Sequence, residues 1–358
     1  MDFSRSGRND GRLVALRNGL LAAGNWIVDH VKMIDAWPSQ DTLANIEAEQ
    51  DGTGGAPFNV LVDLARLGAD FPLAGAGLVG RDGPGDWVIR TCADYGIDTS
   101  LIVRTDRAPT SYTDVMTVMG TGRRTFFHQR GANALFDADT LDLAGSTAKC
   151  FHLGYLMLLD RLDGPGSRLA TRSAELLERA VTLGFQTSVD LVSEERRDRY
   201  ARVVHPTLPY VDVLFLNEIE AERVVSRPIM QAASIDVPAL VGAARSLLEA
   251  GVRRWVVVHF PEGVLAAGRP DAVLFQPSVN FPADSVRGSA GAGDALAAGV
   301  LFGLHQEATM EDALRFGVCA AAASLRHPSC TLGIGPLPEC LALGERYGYR
   351  PGFVPEVA

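Results

Sequence analysis

The stretch Arg287-Gly288-Ser289-Ala290-Gly291-Ala292-Gly293-Asp294, continuing into Ala295-Leu296-Ala297-Ala298-Gly299-Val300-Leu301-Phe302, is a glycine-rich turn feeding a buried helix. It brings bare backbone N–H groups and one carboxylate to the same helix end. Unsatisfied amides and the positive end of the helix dipole make such a terminus an anion site, typically for phosphate. An acid beside it opposes plain anion binding, unless it takes a proton from the group that attacks the phosphate. The pattern points to phosphoryl transfer.

Two familiar phosphate loops fail on the same residues. Gly288 and Gly293 have the spacing of a Walker A loop, but Asp294 stands where that loop needs a Lys. Gly291-Ala292-Gly293 begins a dinucleotide fingerprint, yet Leu296 occupies its third glycine position, far from the N-terminus. Read alone, the run is equally compatible with a mobile loop in which Asp294 merely favours a helix start.

Upstream, Gly54-Gly55-Ala56-Pro57-Phe58-Asn59-Val60-Leu61-Val62-Asp63-Leu64-Ala65-Arg66-Leu67-Gly68-Ala69 predicts a helix with Val60, Leu61, Leu64 and Leu67 on one face and a stop at Gly68. Gly54 and Gly55 let backbone approach a ligand closely. Gly24-Asn25-Trp26-Ile27-Val28-Asp29-His30 is strand-like, and Val213-Leu214-Phe215-Leu216 runs into Asn217-Glu218-Ile219-Glu220. From residues alone, Asp29 is a solvated or turn acid, and the Asn-Glu run is a helix cap, best assigned to Glu218.

Together, in this order, these segments resemble the signatures of the ribokinase-like (PfkB) carbohydrate and nucleoside kinases, over nearly the whole chain. The resemblance implies an α/β fold: three α/β/α layers, a mainly parallel central sheet and a small β-sheet lid, forming one kinase domain over residues 1–358. It implies that Asp294 is the general base and that the amides of Gly291, Ala292 and Gly293 form the anion hole. Asp29, Gly54, Gly55 and Asn59 become sugar-binding residues, and Asn217 and Glu220 serve the nucleotide. Glu220 would reach Mg²⁺, usually through water. ATP is then the donor, a monovalent cation stays open, and the expected partner is a small sugar or nucleoside. The lid strands fall at about 27–48 and 111–128 and often mediate dimers in this family, so a homodimer is expected.

The chain departs from the family pattern at the donor side. Gly288-Ser289-Ala290 stands where members commonly carry an Asp-Thr, and Val258-His259-Phe260-Pro261 replaces a hydroxyl and a glycine amide. Pro261 has no N–H to give. His259 either donates to phosphate or sits satisfied at a strand end. These changes bear on ATP as donor and keep a catalytically impaired sugar-binding protein as one alternative. A nucleoside kinase is another, with Trp26, Trp37 and Phe58 as candidates for a nucleobase slot.

Composition fits a globular enzyme: 358 residues, 47% hydrophobic and 21% charged, suffice for a large core. A net charge of -10 argues against nucleic acid or an anionic membrane as partner. Five cysteines without Cys-x-x-Cys spacing read as buried small hydrophobes in a reducing compartment. Leu13–Ala23 is interrupted by Arg17 and Asn18, so it reads poorly as a signal peptide, and no apolar run approaches a membrane span. The expected location is cytoplasmic.

Apolar strands at Phe151–Leu153, Phe185–Val189, Val211–Leu216 and Trp255–Val258 alternate with helical patterns at Arg168–Leu183 and Ala239–Ala250, which implies βαβ units. Arg123, Arg124 and Arg130 form either a solvated face or a clamp for an acidic or phosphorylated sugar. Asn133 receives no role; the family resemblance implies that the Ala321–Gly333 segment helps hold the base of the nucleotide, with no residue assigned.

Overall fold

Leu214 and Leu216 pack into one apolar cluster, while their neighbours Val213 and Phe215 pack into another. That period-two split, repeated along several strands, means the sheet is buried on both faces. A computed structural model describes residues 17–231 and 234–352. Its central sheet has nine strands, in the order Ala272–Pro277, Gly263–Gly268, Trp255–Phe260, Val213–Asn217, Gln186–Leu191, Cys150–Leu156, Leu20–Gly24, Leu73–Gly80 and Asp98–Thr105. Seven of these strands are parallel, and the meander after Trp255 adds the last two antiparallel.

Helices Arg172–Thr182 and Val237–Glu249 cover one face through Leu176, Leu177, Leu240 and Leu247. Helices Ala56–Leu67, Ala292–His305 and Met310–Ser324 cover the other. The first helix begins at Arg172 because Thr171 caps it, accepting from the Ala174 N–H at 3.1 Å. Truncating a buried residue such as Leu61 to Ala would cost about 2–5 kcal/mol.

A second sheet holds Ile46–Gly54, Ile27–Ile34, Ser111–Val118 and Arg124–Gln129, in that order. Its return strand runs to Gly54, beyond the expected boundary at residue 48. The Ile46–Gly54 strand is exposed at six positions in a row, so it carries no alternation by which sequence could mark its end. Asp29 lies within this lid, opposite Gly52 and Thr113, rather than at the end of the first strand. The first strand stops at Gly24, whose φ of 134° and packing against the Gly154 carbonyl leave no room for a side chain.

Asn133 fixes the root of the lid. Its Oδ1 accepts from the Trp26 N–H at 3.2 Å, and its Nδ2 donates to the Trp26 carbonyl at 3.1 Å. Trp26, fully buried, donates Nε1–H to the Ala76 carbonyl at 2.9 Å, so the hinge is tied to the central sheet. Of the Leu13–Ala23 segment, residues 13–16 lie outside the described residues, while Leu20–Gly24 is a buried strand. The single-domain expectation over 1–358 likewise reaches beyond the described residues at both ends. Among the described residues, no helix is long and apolar enough to cross a membrane.

Candidate active site

Parallel strands deliver their carboxyl ends to one edge of the sheet, and the lid closes over that edge. Between them lies a cavity of about 610 Å³. Asp29, Gly55, Asn59, Asn217, Glu220, Gly291, Ala292, Gly293 and Asp294 all line it, although they span 266 positions of sequence (294 minus 29, inclusive). Gly54 borders it from behind: a Cβ there would collide with the Asp29 carboxylate.

Gly291 has φ 76° and is packed against Cys330, so only glycine fits at this helix entry. The next residues, Ala292 and Gly293, open the helix, and the Ala292 N–H makes only a long 3.4 Å contact with the Ser289 carbonyl. A side chain at Gly293 would press on the His259 ring, 3.2 Å from the Cβ position. The loop is therefore bare backbone by steric requirement.

Asp294 stands in the first helical turn, 4% exposed. Its Oδ2 accepts from Asn59 Nδ2 at 2.8 Å, and the Tyr155 hydroxyl lies 2.9 and 2.8 Å from its two oxygens. Burial pushes its pKa up to about 6, outweighing the two hydrogen bonds that favour the carboxylate. Tyr155 is held well above its ordinary value by burial and by Asp294, so it is a neutral donor. Asp29 is likewise raised to about 6 by burial, partly offset by Thr113. Asp190 is raised well above its ordinary value by burial and then by Asp294 and Glu220.

Asn217 and Glu220 form a closed ring with Ser193. Asn217 Oδ1 accepts from the Glu220 N–H at 2.8 Å, and Glu220 Oε2 accepts from the Asn217 N–H at 2.9 Å. The Ser193 hydroxyl donates to Glu220 Oε1 and accepts from Asn217 Nδ2, each at 2.9 Å. The helix cap is thus this pair and not Glu218, because only the residue three positions after the N-cap reaches back to it. Burial raises Glu220 above its ordinary value.

On the lid strand Arg124–Gln129, alternate residues Arg124, Phe126 and His128 face the cavity, with Arg130 just beyond. Arg124 donates Nη2–H to the Ser289 hydroxyl at 2.8 Å and has no carboxylate partner among the described residues. Arg130 is paired with Asp160 at 3.2 Å, and Arg123 is exposed. His259 faces the cavity, and burial keeps it neutral, down to about 4. The aromatic candidates do not assemble: Trp26 and Phe58 are core residues, and Trp37 is exposed on the lid, stacked on Phe127 at 6.2 Å. Their spacing in sequence carried no information about facing, since hydrophobic burial claimed two of them. Four cysteines are buried, as expected of small hydrophobes, but Cys330 lines the cavity.

Tyr155, Asp190 and Ser193 were not singled out by sequence. The first two end the strands Cys150–Leu156 and Gln186–Leu191, so the rule that ligands gather at carboxyl ends was the available signal. No group of three or more His, Cys, Asp or Glu side chains is arranged to hold a metal by itself among the described residues.

Comparison with known proteins agrees with this architecture. The pfkB family carbohydrate kinase model matches residues 23–335. Ketohexokinase of Mus musculus is 24% identical over 304 residues, 83% of this chain and 93% of its own. The structure of Arabidopsis thaliana ribokinase with ribose and ATP superposes with a TM-score of 0.74 at 19% identity, covering 91% of this chain and 98% of that one. A nucleoside kinase of Methanocaldococcus jannaschii gives 0.71 at 17% identity, covering 92% and 98%. With the family match spanning most of its length, on a ribokinase fold with a lid over the carboxyl ends of the strands, the chain belongs to the pfkB family of carbohydrate kinases.

Proposed function

We propose that this kinase transfers the terminal phosphoryl group of ATP to a sugar hydroxyl, with Asp294 as general base. The observation that carries the reading is the position of Asp294: buried, one residue beyond the glycine amides, with a pKa near 6. Such a carboxylate is ionised at neutral pH yet still basic enough to accept a hydroxyl proton. As the proton moves to Asp294, the sugar oxygen forms a bond to the terminal phosphorus, and the bond to ADP breaks. The amides of Gly291, Ala292 and Gly293, at the positive end of the Ala292–His305 helix, receive the charge on the phosphoryl oxygens.

Asp29, Asn59 and the Gly54-Gly55 backbone hold the sugar, with Asp29 accepting from two hydroxyls at once. Mg²⁺ fits the cavity edge, where Glu220 raises the proton affinity of Asp190 and a cation would offset the negative charge. Bound there with waters and donor phosphates, it would neutralise phosphate charge; Glu220 and Asn217 orient those waters. Asn217 and Glu220 spend contacts on the helix cap, but each carboxylate oxygen keeps capacity for another donor.

None of Trp26, Trp37 and Phe58 lines the cavity, so a nucleoside acceptor would have to stack on Phe126 of the lid, and a binding-only protein is disfavoured by the intact Asp294 constellation. The chain works as one kinase domain with its lid, and the five free cysteines fit a reducing compartment such as the cytoplasm. Exposed Trp37, Ile46 and Phe127 on the lid support a homodimer through that sheet.

The deciding experiment is ADP release from Mg·ATP across ketoses, aldoses, sugar acids, sugar phosphates and nucleosides, with Asp294→Asn as blank. Turnover confined to sugars and lost in the blank supports the reading. Turnover by Asp294→Asn within a few-fold of wild type overturns the role of the base.

A further inference from the structure

Beneath the catalytic carboxylate lies a second acid that the reaction does not use. Asp63, on the Ala56–Leu67 helix, is 0% exposed, and neither of its carboxylate oxygens has a hydrogen-bond partner. One turn earlier on the same helix, Asn59 is 2% exposed, and its Oδ1 is also buried without a partner. Its amide orientation is fixed from the other side, because Nδ2 donates to Asp294. Three acceptor oxygens and no donor therefore share one buried stretch of helix.

Helix geometry brings the two side chains together. Residues at i and i+4 lie on one face, and each side chain leans toward the N-terminus, so Asp63 leans over Asn59. Both also meet Asp294, Asn59 by hydrogen bond and Asp63 by charge repulsion. The remaining titratable groups around Asp63 are Cys330 from the cavity loop and Arg66 from its own helix. Arg66 is turned away, donating to the Ile334 and Leu332 carbonyls and the Tyr95 hydroxyl at 2.8, 3.1 and 3.1 Å. His152, on a strand the helix packs against, is neutral and bonded to Ser188 at 2.9 Å. Arg66 is the one cation that acts on Asp63, and its influence is smaller than those of burial and Asp294.

A single proton on Asp63 resolves the deficit. We infer that Asp63 is a neutral carboxylic acid that donates its O–H to Asn59 Oδ1, locking the Asn59 amide in the orientation that presents Nδ2–H to Asp294. Asp63 is then a positioning residue, acting on the base through Asn59. Burial and the neighbouring Asp294 both favour the protonated form. An unpaired ionised carboxylate in the same place would carry a prohibitive desolvation cost. The arrangement also spares Asp294 a second negative charge, which would raise its proton affinity and weaken the carboxylate's availability at neutral pH.

The kinetic part of this inference rests on the kinase reading; its protonation part does not. Asp63→Asn keeps a donor toward Asn59 and should keep kcat within a few-fold and the acid limb of the pH–rate profile unmoved. Asp63→Ala and Asp63→Leu remove the donor and should lower kcat on the order of 10²-fold with a smaller change in KM, as expected of a misplaced reacting group. A fall of the acid limb to lower pH in Asp63→Asn would mean that a charge had been removed, and would overturn the inference. So would equal kcat in all three variants.

Two readings need no substrate. Wild type should show an infrared carbonyl band of a protonated carboxylic acid near neutral pH that Asp63→Asn lacks. A folded state that holds this proton where the unfolded chain releases it loses stability as pH rises above the unfolded carboxylate value, tenfold in the unfolding constant per pH unit for one proton. Asp63→Asn should flatten that slope by one proton. Loss of neither the band nor the slope means that Asp63 is ionised, with a bound cation or water as its partner.

Discussion

The Tyr155 hydroxyl sits 2.9 and 2.8 Å from the two oxygens of Asp294, so one donor is shared across the carboxylate. Asn59 covers Oδ2 from the other side. The carboxylate is thus oriented by two side chains from two different elements, a strand end and a helix, before any substrate arrives.

This sharing sets the pH dependence. As the proposed base, Asp294 must be ionised to take a proton, so kcat/KM should rise with pH through a value near 6. Tyr155 favours the ionised form and lowers that value. Tyr155→Phe removes the donor, so the acid limb should move to higher pH, by about one unit, with reduced kcat at pH 6 and partial recovery at pH 8. A pH–rate profile that does not move would show that Tyr155 leaves the base unaffected.

Adjacent glycines should separate into binding and folding. A Cβ on Gly54 would strike the Asp29 carboxylate, whereas a Cβ on Gly55 would strike the Asn25 carbonyl at a φ of 92°. Gly54→Ala should raise KM for the sugar about tenfold or more by displacing Asp29, with the melting temperature little changed. Gly55→Ala should instead destabilise the protein by about 1–3 kcal/mol, because backbone strain and a backbone clash cannot relax. Paired Michaelis curves and thermal unfolding would distinguish the two.

Much of this site was legible in the sequence because backbone chemistry leaves local marks. The glycines at 54, 55, 291 and 293 and the helix-start acid Asp294 are picked out because their segments resemble the family signatures, and the βαβ rhythm puts Asn217 and the 288–293 glycine run at the carboxyl ends of the strands. Tyr155 and Asp190 left no such mark: each is a single residue next to the end of its strand, and only the tertiary fold brings it to Asp294. The aromatic slot failed for a related reason. Trp26 and Phe58 obey the hydrophobic effect and fill the core, where a sequence reading cannot separate burial from ligand stacking. The polar strand Ile46–Gly54 has no buried face to impose a period, and its end was placed six residues early.

Lid association is a separate test. Trp37 is 51% exposed and stacks on Phe127, itself 52% exposed, with Ile46 also open. A second copy meeting this sheet would bury the stacked pair. Sedimentation should show a dimer that Trp37→Ser with Phe127→Ser converts to monomer, with the secondary structure retained. A monomeric wild type would exclude the lid as an interface.

Arg124 offers the sharpest test of the lid in catalysis. Its guanidinium is partly desolvated, which lowers its affinity for the proton, and its one side-chain hydrogen bond is to Ser289, two residues before the loop glycine Gly291. A cation held without a carboxylate next to the glycine amides proposed as the anion hole is suited to phosphoryl charge. Arg124→Gln should therefore lower kcat about 10²-fold, as for loss of one preorganised donor to a developing anion, while sugar KM changes less. Arg124→Lys keeps the charge but loses the fork, and should recover only part of the rate. If Arg124→Gln instead raised KM for acidic or phosphorylated sugars and spared neutral ones, the guanidinium would belong to the acceptor, and the second reading of the arginine cluster would hold.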